Sequence, residues 1–221
     1  MLAADAYIFD IDGTLLVTKD LVHWNALHQA MVEAYGVDTT IEGIPYHGKT
    51  DLSILRAAVR RAGVLDPDFE VKLPLALDVV CREVEANHQQ LAPEVCPGIM
   101  QLMESLKAGG KLIGVASGNL ETVGWHKIDA AGLRDFFSFG FFSDRHESRA
   151  EIFGNALEHV NMQLGAAAQV CFIGDTPSDV EAARQVGAQI LAVASGTFSF
   201  EELTACSPDL CVSHCGEFFA E

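Results

Sequence analysis

Two short apolar runs in this chain each end in acidic residues, and no other feature constrains the fold as strongly. The first run leads into Asp10 and Asp12, and the second, far downstream, leads into Asp175 and Asp179. Because the carboxyl ends of parallel strands share one edge of an open α/β sheet, we expect these carboxylates to meet there. Crowded carboxylates repel one another unless a cation or a proton intervenes. Hard oxygen ligands of this kind suit Mg²⁺, so the sequence predicts a magnesium site.

Strand and helix patterns alternate along most of the chain, which is typical of a parallel sheet. We therefore expect an α/β fold with a doubly wound, Rossmann-like core. The predicted strands are residues 6–10, 112–116, 137–142, 170–173, 190–193 and 210–212. Ser199 and Glu202 form a capping-box pattern, which predicts a short helix near the C-terminus.

One stretch of the chain departs from this alternation. Residues 16–97 show helical patterns with no plausible strand between them, so we expect an all-helical cap inserted after the first strand. Pro74 predicts a break in the last of its helices, because proline removes a helical hydrogen bond. The expected domains are a catalytic core, residues 1–15 and 98–221, and a cap, residues 16–97, with 93–97 as the return linker.

Three motifs occur in an order that is specific to one family. They are Asp-Ile-Asp-Gly-Thr-Leu from Asp10, Ala-Ser-Gly-Asn around Ser117, and Gly-Asp-Thr-Pro-Ser-Asp around Asp175. A further position of the family pattern, a basic residue that opens a helix, matches more loosely. Arg149 is assigned to the basic position, with Arg145 as the alternative. The chain resembles the phosphatase branch of the haloacid dehalogenase superfamily, among its phosphoglycolate phosphatase-like members with a helical cap.

The resemblance implies a phosphatase that uses Mg²⁺. Asp10 would attack phosphorus and form an aspartyl-phosphate, while Asp12 would act as the general acid and base. The metal would be held by the Asp10 carboxylate, the Asp12 backbone carbonyl and Asp175. Ser117 and Arg149 would gather the phosphoryl oxygens.

Supporting roles are expected for the neighbours of these residues. Asp179 either orients a metal-bound water or the third-motif arginine, or only favours the positive end of its helix dipole. Ser117 could also cap the helix that follows it. The remaining expected phosphate- or substrate-binding residues are Gly13, Thr14, Lys49, Gly118 and Asn119.

Lys49 lies in a segment that has two interpretations. Residues 43–50 satisfy the P-loop pattern, which requires a buried strand before it and a helix after it. Since residues 37–42 make a poor strand, we favour a cap loop whose Lys49 faces the active site and contacts the non-reacting end of the substrate. A P-loop nucleotide-binding protein and a β-phosphoglucomutase-like mutase remain the alternative functions.

Composition narrows the expected partners. The formal net charge of −17 argues against nucleic acid and anionic membranes. The six cysteines show no paired framework, and the Cys206, Cys211, His214, Cys215 cluster lacks Cys-x-x-Cys zinc spacing. No signal peptide or membrane-spanning run is evident. We expect a cytoplasmic monomer or homodimer that acts on a small phosphorylated metabolite, with the leaving group left open among phosphoglycolate, sugar phosphates and nucleotides.

Overall fold

The computed structural model describes residues 1–219 and contains a six-stranded sheet in which all neighbouring strands are parallel. A separate two-stranded antiparallel ribbon joins β2 and β3. The strands are β1 (Ala6–Phe9), β2 (Leu16–Thr18), β3 (Pro93–Val95), β4 (Leu112–Ala116), β5 (Phe139–Phe141), β6 (Val170–Gly174), β7 (Gln189–Val193) and β8 (Leu210–Val212).

Helices follow most of these strands, as the sequence predicts for an α/β fold. They are α1 (Val22–Tyr35), α2 (Asp51–Arg61), α3 (Asp66–Asn87), α4 (Ile99–Ala108), α5 (Glu121–Ala130), α6 (Arg149–Leu164), α7 (Pro177–Val186) and α8 (Phe200–Ala205). The capping box of Ser199 and Glu202 at the start of α8 is confirmed. Short 3₁₀ turns follow α3, α5 and β8.

The central strands are buried on both faces because their residues alternate between two helical layers. In β1, Tyr7 and Phe9 pack on the layer that contains α4, whereas Ala6 and Ile8 pack on the layer that contains α6 and α7. Each layer therefore has its own apolar core, and the sheet lies between them. The expected doubly wound fold class is confirmed.

The strand order determines at which edge of the sheet a ligand crevice can form. The sheet runs β5-β4-β1-β6-β7-β8, so the chain builds outward from β1 in one direction and then in the other. Such a reversal opens a crevice at the carboxyl ends of the strands on either side of it. β1, β4 and β6 are adjacent there, and the segments that follow them therefore converge.

Helices α1, α2 and α3, which we call the three-helix segment (residues 22–87), have a separate apolar cluster. It includes Leu27, Met31, Leu55, Phe69 and Val80, all nearly inaccessible to solvent. Residues from α5 join this cluster, so the three-helix segment packs directly on the sheet-bearing part of the chain. The domain boundaries at 15/16 and 97/98 stay a prediction.

Two details of the expected insertion are wrong. First, 16–18 and 93–95, expected as the start of a helical region and as a linker, pair as the β2–β3 ribbon. Second, α3 runs without a break through Pro74. Pro74 is exposed, while Phe69, Ala76 and Val80 of the same helix are buried. Apolar burial along that face outweighs the cost of about 3 kcal/mol for one lost hydrogen bond.

The structure also contradicts two alternative sites. Residues 36–50 contain no strand, so the segment at 43–50 lacks the strand–loop–helix context of a P-loop. Among residues 1–219, the only group of three or more potential metal ligands consists of carboxylates, and the cysteine cluster near the C-terminus is not one. No helix in the same range is long and apolar enough to span a membrane.

Candidate active site

Three carboxylates converge at the crevice beside β1. Asp10 follows β1, Asp175 follows β6, and Asp179 lies in the first turn of α7. An oxygen from each lies within 4.8 Å of the others, and all three residues are buried. The convergence predicted from the strand ends is therefore present in the structure for these three residues.

Arg149, rather than Arg145, reaches this cluster. It is the first residue of α6 and its Nη2 lies 2.7 Å from Oδ2 of Asp10, while its Nε lies 2.6 Å from Oδ1 of Asp179. Arg145 is exposed. Because the guanidinium is planar and always charged, it holds two carboxylates in fixed positions at once.

Asp179 makes two kinds of contact that bear on its expected roles, one at the start of α7 and one with Arg149. Its Oδ2 accepts hydrogen bonds from the backbone N–H and the hydroxyl of Thr176, at 3.0 and 2.6 Å, and forms a capping box with that residue. Its other oxygen contacts Arg149. Gly174 permits this approach, because a side chain there would overlap the Asp179 carboxylate.

The electrostatics of the cluster favour a cation. Burial raises the pKa of Asp10 to about 6, although Arg149 opposes the shift. Burial, together with the charges of Asp10 and Asp179, raises the pKa of Asp175 well above its ordinary value. One guanidinium offsets one of three negative charges, and the oxygen-only donor set suits a hard divalent cation. The residues present therefore fit Mg²⁺.

The Asp12 carboxylate faces a different set of partners. It accepts hydrogen bonds from Nζ of Lys127 at 2.9 and 2.8 Å and from the side-chain amide of Asn119 at 2.8 Å. Burial raises the pKa of Asp12, but the charge and hydrogen bonds of Lys127, together with Asn119 and His23, lower it, and the net pKa lies below its ordinary value. The Asp12 carboxylate is thus not part of the cluster formed by Asp10, Asp175 and Asp179. Only the backbone carbonyl of Asp12 stays a candidate metal ligand.

Ser117 lies at the end of β4 and is buried. Its hydroxyl accepts hydrogen bonds from Asn119, at 2.9 Å from the side-chain amide and 3.4 Å from the backbone N–H. The idea that Ser117 caps the following helix is wrong, since α5 begins at Glu121 and Leu120 occupies the cap position.

Gly13 and Thr14 border the Asp175 carboxylate. The Thr14 hydroxyl donates to Oδ1 of Asp175 at 3.0 Å. Gly13 has φ +86°, and a side chain there, or at Gly196, would overlap the same carboxylate. These two glycines therefore leave room for Asp175 beside the β1 loop, whereas Thr14 orients it.

The three-helix segment closes over this edge through the start of α2. The Asp51 backbone N–H donates to the Gly118 carbonyl at 2.8 Å, and the Thr50 hydroxyl donates to the Glu147 carbonyl at 2.9 Å. A side chain at Gly118 would meet the backbone of Lys49. The loop after β4 and the start of α2 are therefore in direct backbone contact.

A cavity of about 570 Å³ lies between the carboxylates and the three-helix segment. Asp10, Asp12, Ser117, Arg149 and Asp175 line its inner end, and apolar residues of the segment line the opposite wall. Those apolar residues are Trp24, Leu27, Ile41 and Ile54. The cavity is large enough for a small phosphorylated metabolite.

Lys49 lines the same cavity and is exposed. The other Lys and Arg side chains in the lining are paired: Lys19 with Glu94, Lys127 with Asp12, and Arg149 with Asp10. Within residues 1–219, the Lys49 side chain has no hydrogen bond or ion pair of its own.

Sequence reasoning missed Lys127, His23 and Asp51. Near Asp12, His23 contacts both Lys127 and Asp51. One signal was available for Lys127. It continues the helical spacing of Leu120 and Val123, which are both buried. A lysine on an apolar stripe needs a buried partner, because an unpaired interior charge is costly.

Comparison with known proteins agrees with this geometry. A family model described as haloacid dehalogenase-like hydrolase matches residues 7–193. The chain is 31% identical over 204 residues to a phosphoglycolate phosphatase of Synechococcus elongatus, covering 92% of this chain and 90% of the relative. It is 23% identical over 211 residues to a phosphoglycolate phosphatase of Mesorhizobium japonicum, covering 94% and 89%.

Solved structures share the fold. The structure of CbbY from Rhodobacter sphaeroides in complex with phosphate superposes with a TM-score of 0.72 at 17% identity, covering 98% of this chain and 96% of that one. The family model spans most of the chain, and the match to the two phosphoglycolate phosphatases covers nearly the whole length of each. The chain therefore belongs to the haloacid dehalogenase-like hydrolase family and is a phosphoric monoester hydrolase of its phosphatase branch.

Proposed function

We propose that this protein hydrolyses a small phosphate monoester in a Mg²⁺-dependent reaction through an aspartyl-phosphate on Asp10. The observation that carries the proposal is the buried Asp10 carboxylate at the inner end of the cavity, held by Arg149 at 2.7 Å and flanked by Asp175 and Asp179. A carboxylate with fixed orientation and restricted water access is suited to attack on phosphorus.

Mg²⁺ would be held by the carboxylates of Asp10 and Asp175 and the backbone carbonyl of Asp12, and it would neutralise charge as the substrate phosphate approaches. Arg149 would bind a phosphoryl oxygen from the opposite side, since its charge already lies against Asp10. The Ser117 hydroxyl and the backbone N–H groups of Gly118 and Asn119 supply further donors at the end of β4.

Asp12 would then transfer protons. Asp12 would take up a proton as the anionic substrate binds beside it. It would donate that proton to the departing alkoxide in the first step, and in the second it would take a proton from the water that hydrolyses the aspartyl-phosphate. Its side chain is 42% exposed and lines the cavity, so it can reach both a leaving group and a water.

The substrate class follows from the cavity and the relatives. Phosphoglycolate is the first candidate substrate, because a relative at 31% identity is named phosphoglycolate phosphatase. Sugar phosphates and nucleotides complete a test panel. Lys49, with no partner among the described residues, would contact a carboxylate or another polar group at the non-reacting end of the substrate.

The test is an assay of p-nitrophenyl phosphate hydrolysis with Mg²⁺ and with EDTA, followed by the substrate panel. We expect activity only with Mg²⁺, and a loss of at least ~10³-fold in Asp10→Asn, or on the order of 4 kcal/mol in the barrier. Near-normal turnover of Asp10→Asn would contradict the aspartyl-phosphate. Release of one inorganic phosphate per substrate consumed would distinguish hydrolysis from a mutase, which returns the phosphoryl group to a sugar hydroxyl.

A further inference from the structure

We propose that Lys127 is a positioning residue for Asp12, supported by His23 of the three-helix segment. The inference rests on the proposed function, in which Asp12 transfers protons. Its basis is a hydrogen-bonded network in the cavity wall that joins Asp12, through Lys127 and His23, to Asp51 at the start of α2.

All hydrogen-bond donors of the Lys127 ammonium have acceptors within the protein. Its side chain is 3% exposed, and its Nζ lies 2.8 Å from one oxygen of Asp12, 3.0 Å from Oδ1 of Asn119 and 3.2 Å from Nδ1 of His23. An ammonium group has three N–H donors, and these three residues accept them. No donor of Lys127 is left for a substrate, so its effect on the reaction must pass through its neighbours.

The geometry also fixes the direction of the hydrogen bonds. Because an ammonium only donates, Nδ1 of His23 accepts, and its Nε2 then donates to Oδ2 of Asp51 at 3.1 Å. The same Asp51 oxygen accepts the backbone N–H of Leu120 at 2.8 Å. The network thus begins at Asp12 and returns to the loop between β4 and α5.

The location of Lys127 indicates positioning rather than packing. The Asp12 side chain is 42% exposed, whereas Lys127 is 3% exposed and contacts both oxygens of the Asp12 carboxylate. An apolar residue at this site would continue the buried stripe of α5 without the cost of burying a charge. What the lysine adds is a charge-assisted contact with both oxygens of Asp12.

Asn119 completes this hold on Asp12. Its amide nitrogen donates to Asp12 at 2.8 Å, and its oxygen accepts from Lys127. Asp12 therefore has two donors fixed to each other, and together they hold its carboxylate in one orientation. His23 extends this support to α1, so the contact of the three-helix segment with the site contributes to the orientation of Asp12.

The experiment is a double-mutant cycle in the full-length protein with Mg²⁺ and the alkyl phosphate ester of the test panel that the wild type hydrolyses best, because an alkyl leaving group needs the acid. Lys127→Met removes the charge and keeps the length of the side chain. We expect kcat to fall at least ~30-fold with KM within about 3-fold of wild type. In the Asp12→Asn background, the same substitution should change kcat by less than about 3-fold, because the two residues act as a unit. Lys72→Met, at an exposed lysine of α3, is the matched control and should leave kcat unchanged.

Equal losses in both backgrounds would overturn the proposal, because a purely structural lysine destabilises the protein whether or not Asp12 can transfer protons. Wild-type turnover in Lys127→Met would overturn it as well. If Lys127→Met does not fold, His23→Phe takes its place, with an expected 3- to 10-fold loss of kcat that vanishes in the Asp12→Asn background. An equal loss in the two backgrounds, or none in either, contradicts the network.

Failure of the proposed function would look different. It would appear as a wild-type protein without Mg²⁺-dependent turnover, whereas failure of this inference alone would appear as an active wild type whose two backgrounds respond alike to Lys127→Met.

Discussion

Nη2 of Arg149 lies 2.7 Å from Oδ2 of Asp10, and both side chains are almost fully buried. The contact joins the first residue of α6 to the end of β1 across the crevice. It holds Asp10 in one orientation, yet burial still raises the pKa of Asp10 to about 6. A single guanidinium therefore leaves the carboxylate cluster short of positive charge.

We expect Mg²⁺ to stabilise the protein more at neutral than at acidic pH. The folded-state pKa of Asp10, about 6, exceeds its ordinary value of 3.8. The folded protein thus binds the proton more tightly than the unfolded chain, and metal-free stability falls as pH rises from 3.8 to about 6. The raised pKa of Asp175 acts in the same direction.

Above this window the Asp10 carboxylate is charged, and a bound cation favours the charged form of Asp175 as well. Saturating Mg²⁺ should raise Tm by roughly 5 °C or more at pH 7.5 and by less than about 2 °C at pH 5, as a ligand specific for the folded state does. Thermal unfolding with Mg²⁺ or EDTA at both pH values measures this. Asp175→Asn is the control and should reduce the rise at pH 7.5. The same rise at both pH values would contradict binding at the carboxylates.

Asp12→Asn should affect substrates according to their leaving groups. The amide cannot transfer a proton, but it leaves Lys127 an acceptor and so limits the damage to the buried network. Phosphorylation of Asp10 should slow by about 10²-fold or more with alkyl esters, and much less with p-nitrophenyl phosphate, whose leaving group needs no acid. Single-turnover kinetics measure this step apart from dephosphorylation. Equal losses for both esters would argue against the acid role.

Much of the site follows from local sequence, because Asp10, Ser117 and Asp175 each end a strand whose apolar run is visible in the chain. Parallel pairing of those strands then brings the residues to one edge. Lys127 and its partners are different. Lys127 contacts His23 from 104 positions away and Asp12 from 115 positions away. No periodic pattern in the nearby sequence predicts contacts between residues so far apart in the chain.

The β2–β3 ribbon was missed for the same reason. Leu16 pairs with Val95, and the whole three-helix segment lies between these two residues in the chain. Pro74 shows the opposite failure, because a strong local signal for a helix break gave way to the buried face of α3. Local patterns therefore predicted the strands and their acidic ends, while long-range contacts determined the ribbon and the surroundings of Asp12.

Lys49→Ala should separate substrates by their non-reacting ends. The lysine lines the cavity without a partner in the described part of the chain, so it can offer its charge to a substrate carboxylate. We expect kcat/KM for phosphoglycolate to fall by an amount equivalent to ~1.5–3 kcal/mol, the worth of a charged hydrogen bond. Hydrolysis of p-nitrophenyl phosphate, which has no such group, should change little. Lys72→Ala is the exposed control, and unchanged kinetics with both substrates would make Lys49 a surface residue.

Gly118→Ala tests the contact between the three-helix segment and the site. A methyl group at Gly118 would lie 3.0 Å from the backbone carbonyl carbon of Lys49 and 3.1 Å from Cα of Thr50. These are backbone atoms that cannot rotate away, so α2 must shift and the hydrogen bond from Asp51 to the Gly118 carbonyl must weaken. We expect kcat/KM to fall at least ~10-fold, in line with the sensitivity of catalysis to misplacement of about 1 Å.

Stability should respond less than activity, because the apolar cores on both faces of the sheet are not touched by this change. Gly154→Ala is the matched control: it lies inside α6, and its added methyl group would approach only Val186, at 3.9 Å. That variant should keep full activity and gain up to about 1 kcal/mol of stability from helix propensity. Wild-type kcat/KM in Gly118→Ala would show that the start of α2 can move away from the loop after β4 without consequence for the reaction.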